Sequence, residues 1–252
     1  MSKVVVHELP EVGVTVLSRW IFNCYVVHDG GAGRPMVVDP GLTSTTAAAI
    51  ALAGRIGGEP PVVVATHGHV DHVGGLPDLD RHGADICLPS RVRDYLDGEV
   101  ARAPGLAAMV AVRPILREQR RDLGSVLEIA RTARHTGLGG GTARFPMGAD
   151  HWLADGDEVP GAPAWQVVQV PGHTDDSTAL WNPATGVLLS GDAVLSRQGR
   201  AWFTPELCDT EAAALTEERL RVLPVGHLLP GHGRPVVGAG LMDRALGPNE
   251  RP

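Results

Sequence analysis

Short apolar runs rich in β-branched residues recur through the first part of the chain, at Val4–Val6, Val12–Val16, Tyr25–Val27 and Met36–Val38, separated by Pro10, Gly13 and the Asp29-Gly30-Gly31 turn. Runs of this kind, punctuated by glycine and proline, predict strands. An alanine-rich segment follows and ends at Ile56 before Gly57-Gly58, with Ser44 or Thr45 available as its amino-terminal cap, so a helix is expected there. Val62-Val63-Val64-Ala65 is then apolar at every position, between Pro60-Pro61 and Thr66-His67. Such a run predicts a strand buried on both faces, with histidines delivered at its carboxyl end.

From Pro89 to Asp150 the texture differs: arginine-rich, partly helical pieces at Arg91–Leu96 and Arg117–Ala133 lead to a flexible Gly137-Leu138-Gly139-Gly140-Gly141 stretch. This segment reads as an insertion. Strand patterning resumes at Trp152-Leu153, Trp165–Val170, Ala179–Asn182 and Val187–Ser190, with a turn at Asp155-Gly156-Asp157. A helix from about Thr210 to Val222 and a last strand near His227–Leu229 follow. Both halves show strands, a polar His or Asp cluster at a strand end, then a helix. The expected fold is therefore α/β, two sheets with helices outside, an αββα sandwich formed as one domain over residues 1–252 with a partly helical insertion over about 89–150.

Composition narrows the partners. The net charge is −7, and Arg117, Arg120 and Arg121 lie among Glu118 and Asp122, which argues against nucleic acid as a partner. No long apolar run is present and Met1–Pro10 lacks a basic stretch before an apolar one, so neither a membrane span nor an export signal is expected. Cys24, Cys87 and Cys208 are far apart and without CxxC spacing, so they are read as small buried residues rather than a disulfide framework or a zinc site. A cytoplasmic location fits this usage.

The chemistry concentrates in His67-Gly68-His69-Val70-Asp71-His72, four good ligand donors in six positions directly after a hydrophobic strand. Neutral imidazole and ionised carboxylate are donors that zinc, iron and manganese accept. Gly68 and Gly74-Gly75 permit the tight backbone course that convergence on an ion demands. Three later turns resemble it in miniature: Pro171-Gly172-His173-Thr174, Ser190-Gly191-Asp192 and Pro230-Gly231-His232-Gly233 each follow a strand-like run. Taken singly each is weak; their joint presence points to one metal centre. His7, His28, His82, His135, His151 and His227 fall outside the pattern and are read as exposed or hydrogen-bonded residues.

The HxHxDH pattern with a later His, Asp and His resembles the metallo-β-lactamase superfamily, and Val37-Val38-Asp39-Pro40-Gly41 is similar to another segment common there. The resemblance implies that His67, His69 and His173 hold a first divalent ion and Asp71, His72 and His232 a second, with Asp192 between them. It implies zinc, with iron or manganese also suited, and a hydroxide held by two ions that attacks an ester, thioester or lactone carbonyl. Asp71 would orient the water or pass a proton as the catalytic residue, and Asp39 would support a ligand histidine. The pattern looks closest to the glyoxalase II, lactonase and thioesterase-like branches, and a small acyl compound, of a class that includes anionic ones, is the implied substrate. Arg197, Arg200, Trp202 and Phe203, in the loop after Asp192, would contact such a substrate or else be core aromatics and solvated arginines. The tyrosine that acyl-homoserine lactonases present after the bridging Asp has no counterpart here. Gly191–Arg200 is also similar to the corresponding region of persulfide dioxygenases, which implies an alternative: a mononuclear iron oxidoreductase.

Overall fold

A computed structural model describes residues 4–102, 104, 113–119, 121–134, 136–139, 142–144 and 147–250. Seven strands form the first sheet: β1 (Val5–Leu9), β2 (Val14–Arg19), β3 (Phe22–Val27), β4 (Met36–Val38), β5 (Val62–Val64), β6 (Asp85–Pro89) and β9 (His151–Leu153), in that spatial order. β1 to β4 pair antiparallel, and β4, β5, β6 and β9 run parallel. The second sheet orders β10 (Glu158–Val159), β11 (Ala162–Gln169), β12 (Thr178–Asn182), β13 (Val187–Gly191), β16 (His227–Pro230) and β17 (Val236–Val237). Two small hairpins stand apart, β7 (Gly137–Gly139) with β8 (Thr142–Arg144) and β14 (Val194–Arg197) with β15 (Arg200–Phe203).

The alternation in these strands decides the layering. Val14, Val16, Tyr25, Val38 and Val64 from the first sheet meet Trp165, Val167, Leu180, Leu189 and Leu229 from the second in one buried cluster. The opposite set on the first sheet, Leu17, Val26, Val37, Val63 and Ile86, packs under Ala49 of helix α1 (Thr43–Ile56) and under Val73, Leu76 and Leu79 of the short helices α2 (Val70–Val73) and α3 (Leu76–Asp80). On the second sheet the outer set, Val170, Trp181, Leu188 and Leu228, is covered by Leu220 of the carboxyl-terminal helix (Thr210–Arg221). Neighbouring strand residues point to opposite faces, so each β-branched run serves two cores at once. The result is the α/β sandwich that the sequence predicts. Among the described residues no helix is long and apolar enough to cross a membrane.

Several local expectations are corrected. The run Val12–Val16 is a strand only from Val14, because Pro10–Val12 form a 3-10 turn closed by Gly13 at φ 64°. The cap of α1 is supplied by neither Ser44 nor Thr45. Instead Glu128 Oε2 accepts the Ser44 N–H at 3.3 Å and its hydroxyl at 3.0 Å, while the Thr45 hydroxyl donates back to the Leu42 carbonyl. The expected helix Arg117–Ala133 is two pieces, the second of which (Leu123–Thr132) starts where Asp122 accepts the Gly124 N–H. The glycine-rich stretch expected to be flexible contributes β7, with Gly140 and Gly141 outside the described residues. Asp85–Pro89, unassigned by pattern, is an interior strand.

The loop expected after Asp192 is the β14–β15 hairpin, turned by Gln198 and Gly199 at φ 50° and 71°. Its Trp202 and Phe203 are buried in core clusters, Arg197 packs over the Trp202 ring beside Glu118, and Arg200 is exposed. These aromatics are packing residues. Cys24 and Cys87 are buried as expected, whereas Cys208 is half-buried.

The segment between β6 and β9 is tied to the sandwich by a buried charge cluster. Arg19, at the end of β2, donates from Nε to Asp122 Oδ2 at 2.6 Å and from Nη1 to Glu128, and to the Ser44 hydroxyl at 3.0 Å. A guanidinium buried this deeply is tolerated because both carboxylates meet it.

Candidate metal centre

Every site residue lies at the carboxyl end of a strand, along one edge of the sandwich. β5 runs into Thr66-His67, His69 precedes α2, and α2 itself carries Asp71 and His72. His173 follows β11, Asp192 follows β13, and His232 follows β16. The seven residues named from sequence form two groups whose donor atoms converge: His67, His69, His173 and Asp192 in one, Asp71, His72 and His232 in the other. Asp192 reaches both. Its Oδ2 lies 3.5 Å from His173 Nε2 and 4.0 Å from His67 Nε2, and 3.1 Å from His232 Nε2 in the second group; Oδ1 lies 3.6 Å from His72 Nε2.

Close backbone approach makes this possible. A Cβ on Gly231 would stand 2.3 Å from Asp192 Oδ1 and 2.8 Å from the His72 ring, and one on Gly41 would overlap the Asp71 carbonyl. Only glycine fits at either position.

Hydrogen bonds behind the rings fix their tautomers, assigned here from the partner of each nitrogen. Asp39, buried and held at φ 56°, accepts the Thr66 N–H at 2.7 Å and the Thr66 hydroxyl at 2.9 Å, and its Oδ2 lies 2.9 Å from His72 Nδ1. The Thr66 oxygen in turn accepts from His67 Nδ1 at 3.2 Å. His173 Nδ1 donates to the Glu206 carbonyl at 2.7 Å and His232 Nδ1 to the Ile21 carbonyl at 3.3 Å. In each ring the Nε2 atom is thereby left facing the centre.

The consequence is a cluster of converging ring nitrogens. His67 Nε2 and His69 Nδ1 are 3.0 Å apart, and His69 Nδ1 and His173 Nε2 are 3.1 Å apart. His72 Nε2 and Asp192 Oδ1 are buried with no hydrogen-bond partner among the described residues. Crowded ring nitrogens and orphaned buried polar atoms are costly unless an ion answers them, and this donor set suits a divalent ion of the zinc, iron or manganese kind.

Electrostatics separates the two groups. Burial pushes the pKa of His67 well down, His69 to about 3 and His173 down, with the neighbouring imidazoles adding to the effect on His67 and His69. Burial also opposes charge on His72 and His232, but there it is outweighed. Asp39, Asp192 and Asp71 hold His72 well above its ordinary value, and Asp192 with Asp71 lifts His232 to about 10. The same two cations overcome burial and hold Asp71 and Asp192 below the usual carboxylate range.

Four contributors escaped the sequence reading: the Glu206 and Ile21 carbonyls, the Thr66 hydroxyl and Phe22, whose ring meets His232 edge to face at 5.3 Å. Backbone carbonyls leave no trace in a sequence, since every residue carries one. Thr66 had a signal, its position directly before His67. Of the histidines set aside, His28 bonds the Thr15 hydroxyl, His82 the Asp78 carbonyl, and His227 lies beside Glu11; His135 is outside the described residues.

Comparison with known proteins agrees with this architecture. The probable metallo-hydrolase YflN of Bacillus subtilis (strain 168) is 25% identical, over 90% of this chain and 86% of its own length. Hydroxyacylglutathione hydrolase of Xanthomonas campestris pv. campestris is 33% identical over a local stretch, 29% of this chain and 31% of its own. The crystal structure of TTHA1623 in a di-iron-bound form superposes with a TM-score of 0.58 at 24% identity, covering 92% of this chain and 96% of that one. The sequence pattern of one family spans residues 19–232, from the end of β2 to the last histidine of the centre, and by that match the chain belongs to the metallo-beta-lactamase superfamily.

Proposed function

We propose that this protein is a dinuclear metal-dependent hydrolase that cleaves an ester, thioester or lactone bond in a small-molecule substrate. The observation that carries the reading is the Asp192 carboxylate, which stands within reach of two separate donor groups. His67, His69 and His173 would hold one divalent ion, Asp71, His72 and His232 a second, and Asp192 would touch both. Zinc suits these donors, and iron and manganese accept them too. When bound, two such ions acidify water and polarise a carbonyl oxygen.

The chain's own groups supply the rest. Asp71 Oδ2, 3.2 Å from His232 Nε2 and 3.7 Å from His72 Nε2, is kept ionised and is placed to accept a hydrogen bond from the attacking water. Asp39 and Thr66 hold His72 and His67 with their Nε2 atoms toward the centre. The Phe22 ring packs against that of His232, with centroids 5.3 Å apart. Likeness to a probable metallo-hydrolase along most of the chain supports hydrolysis, and the local likeness to hydroxyacylglutathione hydrolase supports an acyl substrate. That a protein of this fold holds two irons supports a dinuclear centre.

The test is elemental analysis of the purified protein, with turnover of a panel of thioesters and lactones before and after chelation. About two metal ions per chain and chelator-sensitive hydrolysis are expected. About one iron per chain with oxygen uptake on a persulfide would replace this reading with the dioxygenase, and a metal-free chain would overturn the centre itself.

A further inference from the structure

Beneath the first donor group lies a carboxylate that the reading above does not use. Asp176 is buried, 2% exposed, in the turn that follows His173. Its Oδ2 accepts the N–H of Gly68 at 2.8 Å, and Gly68 is the residue between His67 and His69. The turn is itself locked: the Thr174 and Ser177 hydroxyls are 2.7 Å apart, and the Thr178 N–H donates to the Thr66 carbonyl at 2.9 Å. One side chain thus ties the loop bearing His173, from the second sheet, to the loop bearing His67 and His69, from the first.

The other oxygen of Asp176 is harder to explain. Oδ1 is buried with no hydrogen-bond partner among the described residues, the neighbouring Thr174 side chain lowers the carboxyl pKa only in part against burial, and Asp176 forms no ion pair among those residues. Arg91, which reaches this turn, is engaged with Asp175, as is the Tyr95 hydroxyl. Burial raises the Asp176 pKa to about 6. A buried carboxylate without an answering positive charge is strongly unfavourable, and the backbone that its other oxygen holds lies between the imidazoles of His67 and His69. A divalent ion among those imidazoles is the positive charge that would answer it.

Building on the dinuclear reading, we propose that Asp176 is a positioning residue for the first metal. It holds the Gly68 backbone so that His67 and His69 aim at one point, and its charge favours a dication there. Two substitutions separate these contributions. Asp176→Asn keeps an oxygen for the Gly68 N–H and removes the charge; Asp176→Ala removes both.

The experiment titrates the metal-free full chain with Co(II) against a chromophoric chelator and records the visible spectrum of the bound ion. Groups hydrogen-bonded behind metal ligands typically contribute 10- to 100-fold in affinity, so D176N should weaken the tighter Co(II) site by about 10-fold and D176A by about 100-fold with a shifted spectrum. Should D176A fail to fold, D176N alone decides. Co(II) affinity of D176N within about two-fold of the unchanged chain would overturn the proposal, since an outer group that acts on the ion contributes more than that. Failure of the unchanged chain to bind Co(II) is a different result, which removes the metal centre itself.

Discussion

In the first donor group the rings of His67, His69 and His173 are kept neutral by burial, with adjacent rings reinforcing the effect, whereas in the second the charges of Asp39, Asp71 and Asp192 keep His72 and His232 protonated. The residue types are alike. What differs is which rings the carboxylates lie against: Asp192 reaches both groups, while Asp71 lies 3.2 Å from His232 and Asp39 lies 2.9 Å from His72, both in the second. Without a cation, the first group therefore presents bare nitrogens and the second holds protons in the places where an ion would bind. Metal ligands must be deprotonated, so the two halves of one centre differ in how much their affinity depends on pH.

Removing the shared carboxylate should erase this contrast. Asp192→Ala takes a donor from the first group and the principal counter-charge from His232 in the second. Metal affinity is expected to fall by more than the roughly 100-fold that an outer hydrogen-bonding partner contributes, with hydrolysis lost and helical content unchanged. Metal analysis, turnover and circular dichroism on the same preparation check it, and full activity in this variant would refute the centre.

Asp39→Asn should sharpen the contrast instead. The amide oxygen can still accept the Thr66 N–H, and an amide nitrogen in the place of Oδ2 can donate to the Thr66 hydroxyl, which keeps a lone pair for His67 Nδ1, but that nitrogen supplies neither the charge nor the acceptor that faces His72 Nδ1. The weaker-binding ion should lose about 10-fold in affinity while the tighter one changes little. Equal weakening of both ions would show that Asp39 acts through Thr66 rather than through His72. Competition with chelators of graded strength distinguishes the two outcomes.

How much of this was visible beforehand follows from the range of the interactions. The strand ending at Val64 and the donor turn behind it are local: an apolar run, then His67, His69, Asp71 and His72 within one short stretch. Asp192, His173 and His232 were legible because each follows its own apolar strand on a glycine turn. The support beneath them was not. Asp176 meets Gly68 across 108 positions of sequence, and nothing in its own neighbourhood marks it except a second aspartate. The start of α1 was misread for the same reason, since its end group comes from Glu128, 84 positions away. The β14–β15 hairpin was missed because its turn residue Gln198 gives no hint of a positive φ, and its buried Trp202 and Phe203 look in sequence like the wall of a pocket.

The inequality of the two donor groups is tested most directly by calorimetric titration of zinc into the metal-free chain, in buffers of different ionisation enthalpy at several pH values around neutrality. The sign follows from the histidines: those of the first group have lowered pKa values and carry no proton to displace, while His72 and His232, the latter with a pKa of about 10, each carry one. The first ion should bind with close to no proton release and little pH dependence, and the second with release of about two protons and an affinity that falls steeply as pH drops. Equal proton release for both ions, or a single ion bound at every pH, would contradict the account.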